Sequence, residues 1–265
     1  MTKAEAKPAA DALFLQVVAI THRGRGRDHN EDSIGAGPWR GPADMGKPAV
    51  LRFRIGRGRA AAFVVADGLG GHPAGEVASQ SVVERIASRS ATLGQDLLAA
   101  ARHLTADVNE QLYAQMRASE NLVGMGSTVA GLLCSSDQCV VFNIGDSRVY
   151  RWQDGYLHQI SVDHVTPGRS GVAASLGGAP FFVKVNAHVA SERWLLGRRY
   201  LLCSDGVSGV LTQETLETCM ALPALDAVRA LIRAVRAAGA PDDISMLLLE
   251  RTAARPQSPA PKTGA

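Results

Sequence analysis

Four apolar, strand-like runs follow one another between Ser127 and Ile160, and this succession constrains the fold more than any other feature of the chain. They cover residues 127–134, 139–144, 148–153 and 156–160. In "VYRWQDGYLHQI" the pair Asp154-Gly155 separates two alternating runs and suits a two-residue primed turn. Strands joined directly by hairpins pair antiparallel. Further strand-like runs lie at 13–21, 50–55, 60–67, 181–189, 200–203 and 244–250, and helical periodicity covers 74–88, 93–117, 212–221 and 225–238. Residues 23–32 read as a polar turn region and 35–58 as a long loop with one edge strand at 50–55. Helices thus come in pairs between strand groups. The expected class is α+β: two antiparallel β-sheets packed face to face and flanked by pairs of helices.

With 265 residues, 46% of them hydrophobic, the chain can bury one substantial core, and residues 1–251 are taken as a single domain. Residues 252–265 carry three prolines among small residues and are expected to be disordered. The net charge of +3 does not point to nucleic acid. Arg52, Arg54, Arg57 and Arg59 cluster, but only Trp39 and Phe53 lie near them, too few aromatics for stacking on bases. The four cysteines form no CxxC pair, which argues against a zinc motif and for a reducing, cytoplasmic setting. "ALFLQVVAI" is interrupted by Gln16 and reads as a first strand, and no run approaches a membrane span. A monomer with no membrane or nucleic-acid partner is expected.

The aspartates carry the chemistry. Asp67 ends "FVVAD", Asp146 ends "VVFNIGD", Asp205 ends "YLLCSD", and Asp242 and Asp243 precede "ISMLLLE". In an antiparallel sandwich the exit of one strand lies beside the entry of its neighbour, so these acids can converge on one edge. Converging carboxylates need a cation, and hard oxygen donors without a thiol or imidazole cluster favour Mg²⁺ or Mn²⁺. Singly, each acid also reads as a turn opener. Phosphate-binding loops fit poorly: in "GLGGHP" Pro73 replaces the third glycine of the dinucleotide fingerprint, and in "GPADMGKP" Pro48 stands where Ser or Thr would hold magnesium.

Seven motifs in order resemble the bacterial type 2C metal-dependent protein serine/threonine phosphatases. They are "RDHNEDS" (27–33), "VVADGLGGHPAGEVAS" (64–79), "GSTV" (126–129), "NIGDSRVYRW" (143–152), "DH" (163–164), "LLCSDGVSG" (201–209) and "PDDIS" (241–245). The resemblance implies hydrolysis of phosphoserine and phosphothreonine on phosphoprotein substrates by water activated at two Mn²⁺ or Mg²⁺ ions, opposing a cognate bacterial Ser/Thr kinase. It implies that Asp67 bridges the two ions, with the Gly68 carbonyl helping to hold one. Glu31 would ligate the second ion, and Asp205 and Asp242 the first. Asp146, with Asp205, matches a weaker third position. Arg27 would bind the substrate phosphate through its planar fork, and Asp32 would orient water.

The chain departs from the family at three places. Leu69 stands where eukaryotic members carry histidine, and His72 is at a different spacing, so no general acid is assigned. The last motif usually reads Asp-Asn and is here Asp242-Asp243; register favours Asp242 as ligand, with Asp243 the alternative. Only residues 165–174 separate Asp163-His164 from Ser175-Leu176-Gly177, so the helical flap of most relatives is nearly absent. A weakly catalytic, phosphoprotein-binding module is the competing reading.

Overall fold

The computed structural model of the chain describes residues 12–253, apart from 70–73, 91–92, 137 and 169–170. The chain begins with β1 (Ala12–His22), β2 (Asp32–Ala36), β3 (Trp39–Arg40), β4 (Ala49–Gly56) and β5 (Ala60–Asp67). Helices α1 (Gly75–Ser90) and α2 (Leu97–Ala118) follow. Then come β6 (Gly126–Ser127), β7 (Val129–Ser135), β8 (Cys139–Ile144), β9 (Arg148–Gln153), β10 (Tyr156–Gln159), β11 (Leu176–Gly177), β12 (His188–Glu192) and β13 (Arg199–Cys203). The chain closes with α3 (Asp205–Ser208), α4 (Gln213–Met220), α5 (Ala224–Ala237) and β14 (Ile244–Thr252).

Two six-stranded sheets result, ordered β10-β9-β13-β14-β1-β4 and β12-β8-β7-β5-β2-β3, with β11 and β6 forming a small pair. Every described pairing is antiparallel. Asp154 and Gly155 both take positive φ, +53° and +87°, as a type I′ turn between β9 and β10 requires.

The alternation of side chains explains the layers. On β5, Phe63 and Val65 face the core between the sheets, while Val64 and Ala66 face α1 and α2. β8 divides in the same way: Val141 points between the sheets, Phe142 and Ile144 toward the helices. Strands buried on both faces read as continuous apolar runs, which is why "AAAFVVA" shows no period-two pattern. Phe63 is fully buried, edge-on to Phe53 at 5.2 Å between ring centroids. Truncating such a ring to alanine costs about 3–5 kcal/mol. On the far side, Val228, Leu231 and Val235 of α5 pack on the first sheet. Asp96 caps α2 by accepting the Ala99 N–H at 3.0 Å, so that helix begins after the cap and not at residue 93.

Three other expectations change. β2 and β3 lie in stretches read as a polar turn and a long loop; β2 is a strand because it pairs with β5 from Asp32↔Asp67 to Ala36↔Phe63. The run at 181–189 is mostly not a strand. Its pairing with β8 begins at His188↔Asn143, and β8 ends at Ile144, before Gly145 turns away at φ +98°. Register sets Ala187 opposite Ile144, the last residue of β8, so residues before 187 have no strand beside them to bond. β14 extends through Thr252, paired with Phe14, although that residue was assigned to the tail; residues 254–265 of the tail lie outside the described residues. Where most relatives have a flap, Val165 bridges Val172 in this chain.

Candidate metal centre

Four connections bring the acids to one end of the sandwich. β5 ends on Asp67 directly beside Asp32, the first residue of β2. Asp146 lies in the turn after β8, whose conformation is held by His164: its N–H donates to the Gly145 carbonyl at 2.9 Å, and its Nδ1 accepts the Gly145 N–H at 3.2 Å. Asp205 follows β13 and opens α3, while Asp242 precedes β14, the neighbour of β13. The result is a cleft of about 400 Å³ whose lining includes Arg27, Asp67, Gly68, Thr128, Asp146, Asp205 and Asp242.

Two glycines permit the close approaches this needs. A Cβ on Gly68 would overlap the Gly75 carbonyl oxygen and stand 2.7 Å from the Glu31 carbonyl oxygen. A Cβ on Gly24 would overlap the Asp242 carbonyl. Without one, the Gly24 N–H donates to Asp243 Oδ1 at 2.8 Å, and the segment carrying Arg27 lies against the start of β14.

The charges in the cleft are poorly compensated by protein alone. Burial first, then the neighbouring Asp32, Asp205, Asp242 and Asp146, push the Asp67 carboxyl well above the usual range. Asp205 is raised by burial first and then by Asp242. Burial, then Asp205, pushes Asp146 up to about 6. Arg27 is the one cation lining the cleft among the described residues. Its Nη2 lies 2.6 Å from the Asp242 carboxylate, and that bond, against an opposing desolvation, holds its pKa up. One guanidinium cannot balance four carboxylates. Hard oxygen donors that raise one another's proton affinity are a fitting host for divalent cations.

Arg27, Asp67, Gly68, Asp146, Asp205 and Asp242 therefore line one cleft; the strand-end pattern placed the four aspartates at one edge, and the family resemblance added Arg27 and Gly68. Two residues are placed differently. Glu31 is buried beside it, with Oε2 3.4 Å from Arg27 Nη1. Asp32, expected to orient water, is 4% exposed and sits behind Asp67, outside the cleft lining. Its Oδ2 accepts the Ser204 hydroxyl at 2.8 Å, and burial pushes its carboxyl up to about 8 against the pull of the Ser245 and Ser204 hydrogen bonds. In this position it raises the proton affinity of the Asp67 carboxyl.

The adjacent acids 242 and 243 separate clearly. Asp242 faces the cleft and Arg27. Asp243 is 3% exposed and accepts two backbone donors, Gly24 N–H at 2.8 Å and Glu31 N–H at 2.9 Å. Sequence reading missed this clamp, and also Thr128, whose N–H donates to the Asp67 carbonyl at 2.8 Å and whose Oγ1 accepts the Asp67 N–H at 3.1 Å. Asp163 was quoted in a motif without a role. It takes the Arg148 guanidinium through Nε at 2.9 Å and Nη2 at 2.7 Å.

The fold is thus a two-sheet α+β sandwich with carboxylates and one arginine gathered at its strand ends. The chain belongs to the protein phosphatase 2C family, whose model matches residues 49–248. It is 31% identical over 258 residues to the serine/threonine protein phosphatase PstP of Mycobacterium tuberculosis, covering 90% of this chain and 45% of that protein. The chain thus spans about half the length of that relative. It is 26% identical to the serine/threonine phosphatase stp of Listeria monocytogenes, over 87% of this chain and 94% of the other. The crystal structure of the PstP catalytic domain in complex with two manganese ions superposes with a TM-score of 0.74 at 30% identity, covering 91% of this chain and all of that one. PppA, a regulatory component of T6SS in Pseudomonas aeruginosa, superposes with a TM-score of 0.72 at 27% identity, over 91% of this chain and 99% of the other. No helix among the described residues is long and apolar enough to cross a membrane.

Proposed function

We propose that this chain hydrolyses phosphoserine and phosphothreonine on proteins, using two divalent cations, Mn²⁺ or Mg²⁺, and opposes a Ser/Thr kinase in the bacterial cytoplasm. The observation that carries the reading is the convergence of Asp67, Asp146, Asp205 and Asp242 on one cleft with Arg27 as their only lining cation among the described residues. Asp67 lies centrally, its carboxyl raised by all the other acids of the cleft, and is suited to bridge two ions. Asp205 and Asp242 would hold one ion, and Glu31 with the Gly68 backbone the other. Asp146 beside Asp205 would serve a weaker third position. When bound, the ions supply the Lewis acidity that makes water nucleophilic at neutral pH and offsets charge on the phosphoryl oxygens.

The chain's own residues do the rest. Arg27 presents a planar fork that can engage two phosphoryl oxygens, and it waits on Asp242 until a phosphate competes for it. Asp243 fixes the height of Arg27 and Glu31 by clamping the segment from Gly24 to Glu31. Asp32, paired with Asp67 across the strands and held by the Ser204 hydroxyl, supports the strand end that carries Asp67. The test is hydrolysis of a phosphothreonine peptide by metal-stripped protein. Turnover is expected on adding Mn²⁺ or Mg²⁺ and none in excess chelator; full turnover in chelator refutes the reading.

A further inference from the structure

Glu31 is 9% exposed, and its two carboxylate oxygens face different neighbours. Oε2 turns toward Arg27 on the cleft side. Oε1 turns away, lies 3.7 Å from His29 Nε2, and accepts no hydrogen bond among the described residues. His29 Nε2 is in turn 3.5 Å from Glu76 Oε2, on the second residue of α1. One donor atom from each of these three side chains falls within 4.8 Å of the other two.

These separations are not those of a hydrogen-bonded histidine. Nε2 stands at or beyond hydrogen-bond reach of both carboxylates and donates to neither in the described hydrogen bonds. They are close to those of ligands around a common atom. Donors about 2.0–2.1 Å from a tetrahedral ion stand about 3.3–3.4 Å from one another, so the distances at His29 need close by only a few tenths of an ångström. Two carboxylates with a neutral imidazole also match the charge of a divalent cation. Beside the triad opens a cavity of about 480 Å³, lined by His29, Asn30, Glu76, Gln80 and Glu84 among others, where water can complete the coordination.

We propose that His29, Glu31 and Glu76 form a second, open metal site for a zinc-class divalent ion, joined to the acidic cleft through the Glu31 carboxylate. The two sites differ in ligand chemistry. The cleft offers carboxylate oxygens and suits Mg²⁺ or Mn²⁺, while the peripheral site adds an imidazole, which raises affinity along the series toward Zn²⁺. His29 and Glu76 are exposed, with side chains 60% and 48% accessible, so an ion can enter and the residues can be replaced without opening the core.

The experiment uses the whole chain, stripped of metal and then held in excess Mg²⁺ to fill the oxygen-lined cleft. Zn²⁺ titrated by calorimetry should bind as one further equivalent that Mg²⁺ does not displace. Co²⁺ under the same conditions should give the visible absorption of a four- or five-coordinate nitrogen-oxygen site. His29→Ala and Glu76→Gln should each weaken this equivalent by about tenfold or more, since loss of even an outer-shell partner costs that much, and the double variant should abolish it. Circular dichroism and the Mn²⁺ stoichiometry of the cleft should not change in these variants. Absence of a Zn²⁺ equivalent in the presence of Mg²⁺ overturns the proposal. So does Zn²⁺ binding that is undiminished in the double variant, since the ion would then sit in the cleft.

Discussion

Replacing Asp146 by asparagine should stabilise the metal-free protein while weakening its hold on cations. Asp146 is half-buried near Asp205, and its carboxyl is pushed from 3.8 up to about 6, by burial first and by Asp205 next. A raised carboxyl pKa means that the folded state holds its proton to higher pH than the unfolded chain does. Stability contributed by this group is therefore present at low pH and is lost as pH rises from about 4 to about 6. Above that window the loss is about 1.36 kcal/mol for each tenfold in proton affinity, or about 3 kcal/mol. Solvent screening of a half-buried group reduces this to about 1–2 kcal/mol. Asparagine keeps the shape and carries no charge, so it recovers that amount, equivalent to about 2–8 °C in Tm for a chain of this size. The assay is urea denaturation with chelator. The variant should exceed the wild type by the full amount at pH 7.5 and by about half of it at pH 5. Added Mn²⁺ should stabilise the wild type more than the variant. If the variant is no more stable than wild type at pH 7.5 in chelator, the cleft does not hold unbalanced charge and the electrostatic case for cation binding fails.

Arg27→Ala should mainly raise KM for a phosphothreonine peptide, lowering kcat/KM by about 10–150-fold for a lost charged hydrogen-bond partner worth about 1.5–3 kcal/mol; an unchanged kcat/KM refutes its phosphate role. Gly68→Ala should cost about 1–3 kcal/mol and weaken Mn²⁺ binding by calorimetry, because the new methyl overlaps a backbone carbonyl that cannot rotate away. Wild-type stability and affinity in that variant would show that the loop does not depend on the close approach. Asp243→Ala removes the acceptor of two buried N–H groups, 2.8 and 2.9 Å away, and should cost about 3–6 kcal/mol in chemical denaturation. A cost below about 1 kcal/mol would mean that water replaces the carboxylate.

The sequence by itself determined the elements whose side chains carry their own period or turn chemistry. β5, β8 and β9 run over the expected residues because apolar runs bounded by Asp, Gly and hairpin turns need no partner to be read. The Asp154-Gly155 turn follows from the positive φ that its two positions demand. The gathering of Asp67, Asp146, Asp205 and Asp242 was also legible, because strand ends in an antiparallel sheet are neighbours whatever the details of packing.

Tertiary structure decided what depends on a partner far along the chain. β2, "DSIGA", has too little apolar pattern to announce itself and is a strand because β5 offers it a ladder. Residues 181–186 have the apolar pattern and form no strand, because β8 stops at Ile144, opposite Ala187, and leaves them nothing to bond. Period two places Asp242 and Asp243 on opposite sides of the chain, but does not say which side is the cleft. That follows from where Gly24 and Glu31 stand, 219 and 212 residues away, with N–H groups that take Asp243 inward and leave Asp242 to Arg27. The same holds for Glu31 and Asp32. Adjacent in sequence, they are divided by the fold into a carboxylate facing Arg27 four residues before it and one sealed under Ser204, 172 residues away, because successive side chains at the start of β2 point to opposite faces and only the second meets the far segment.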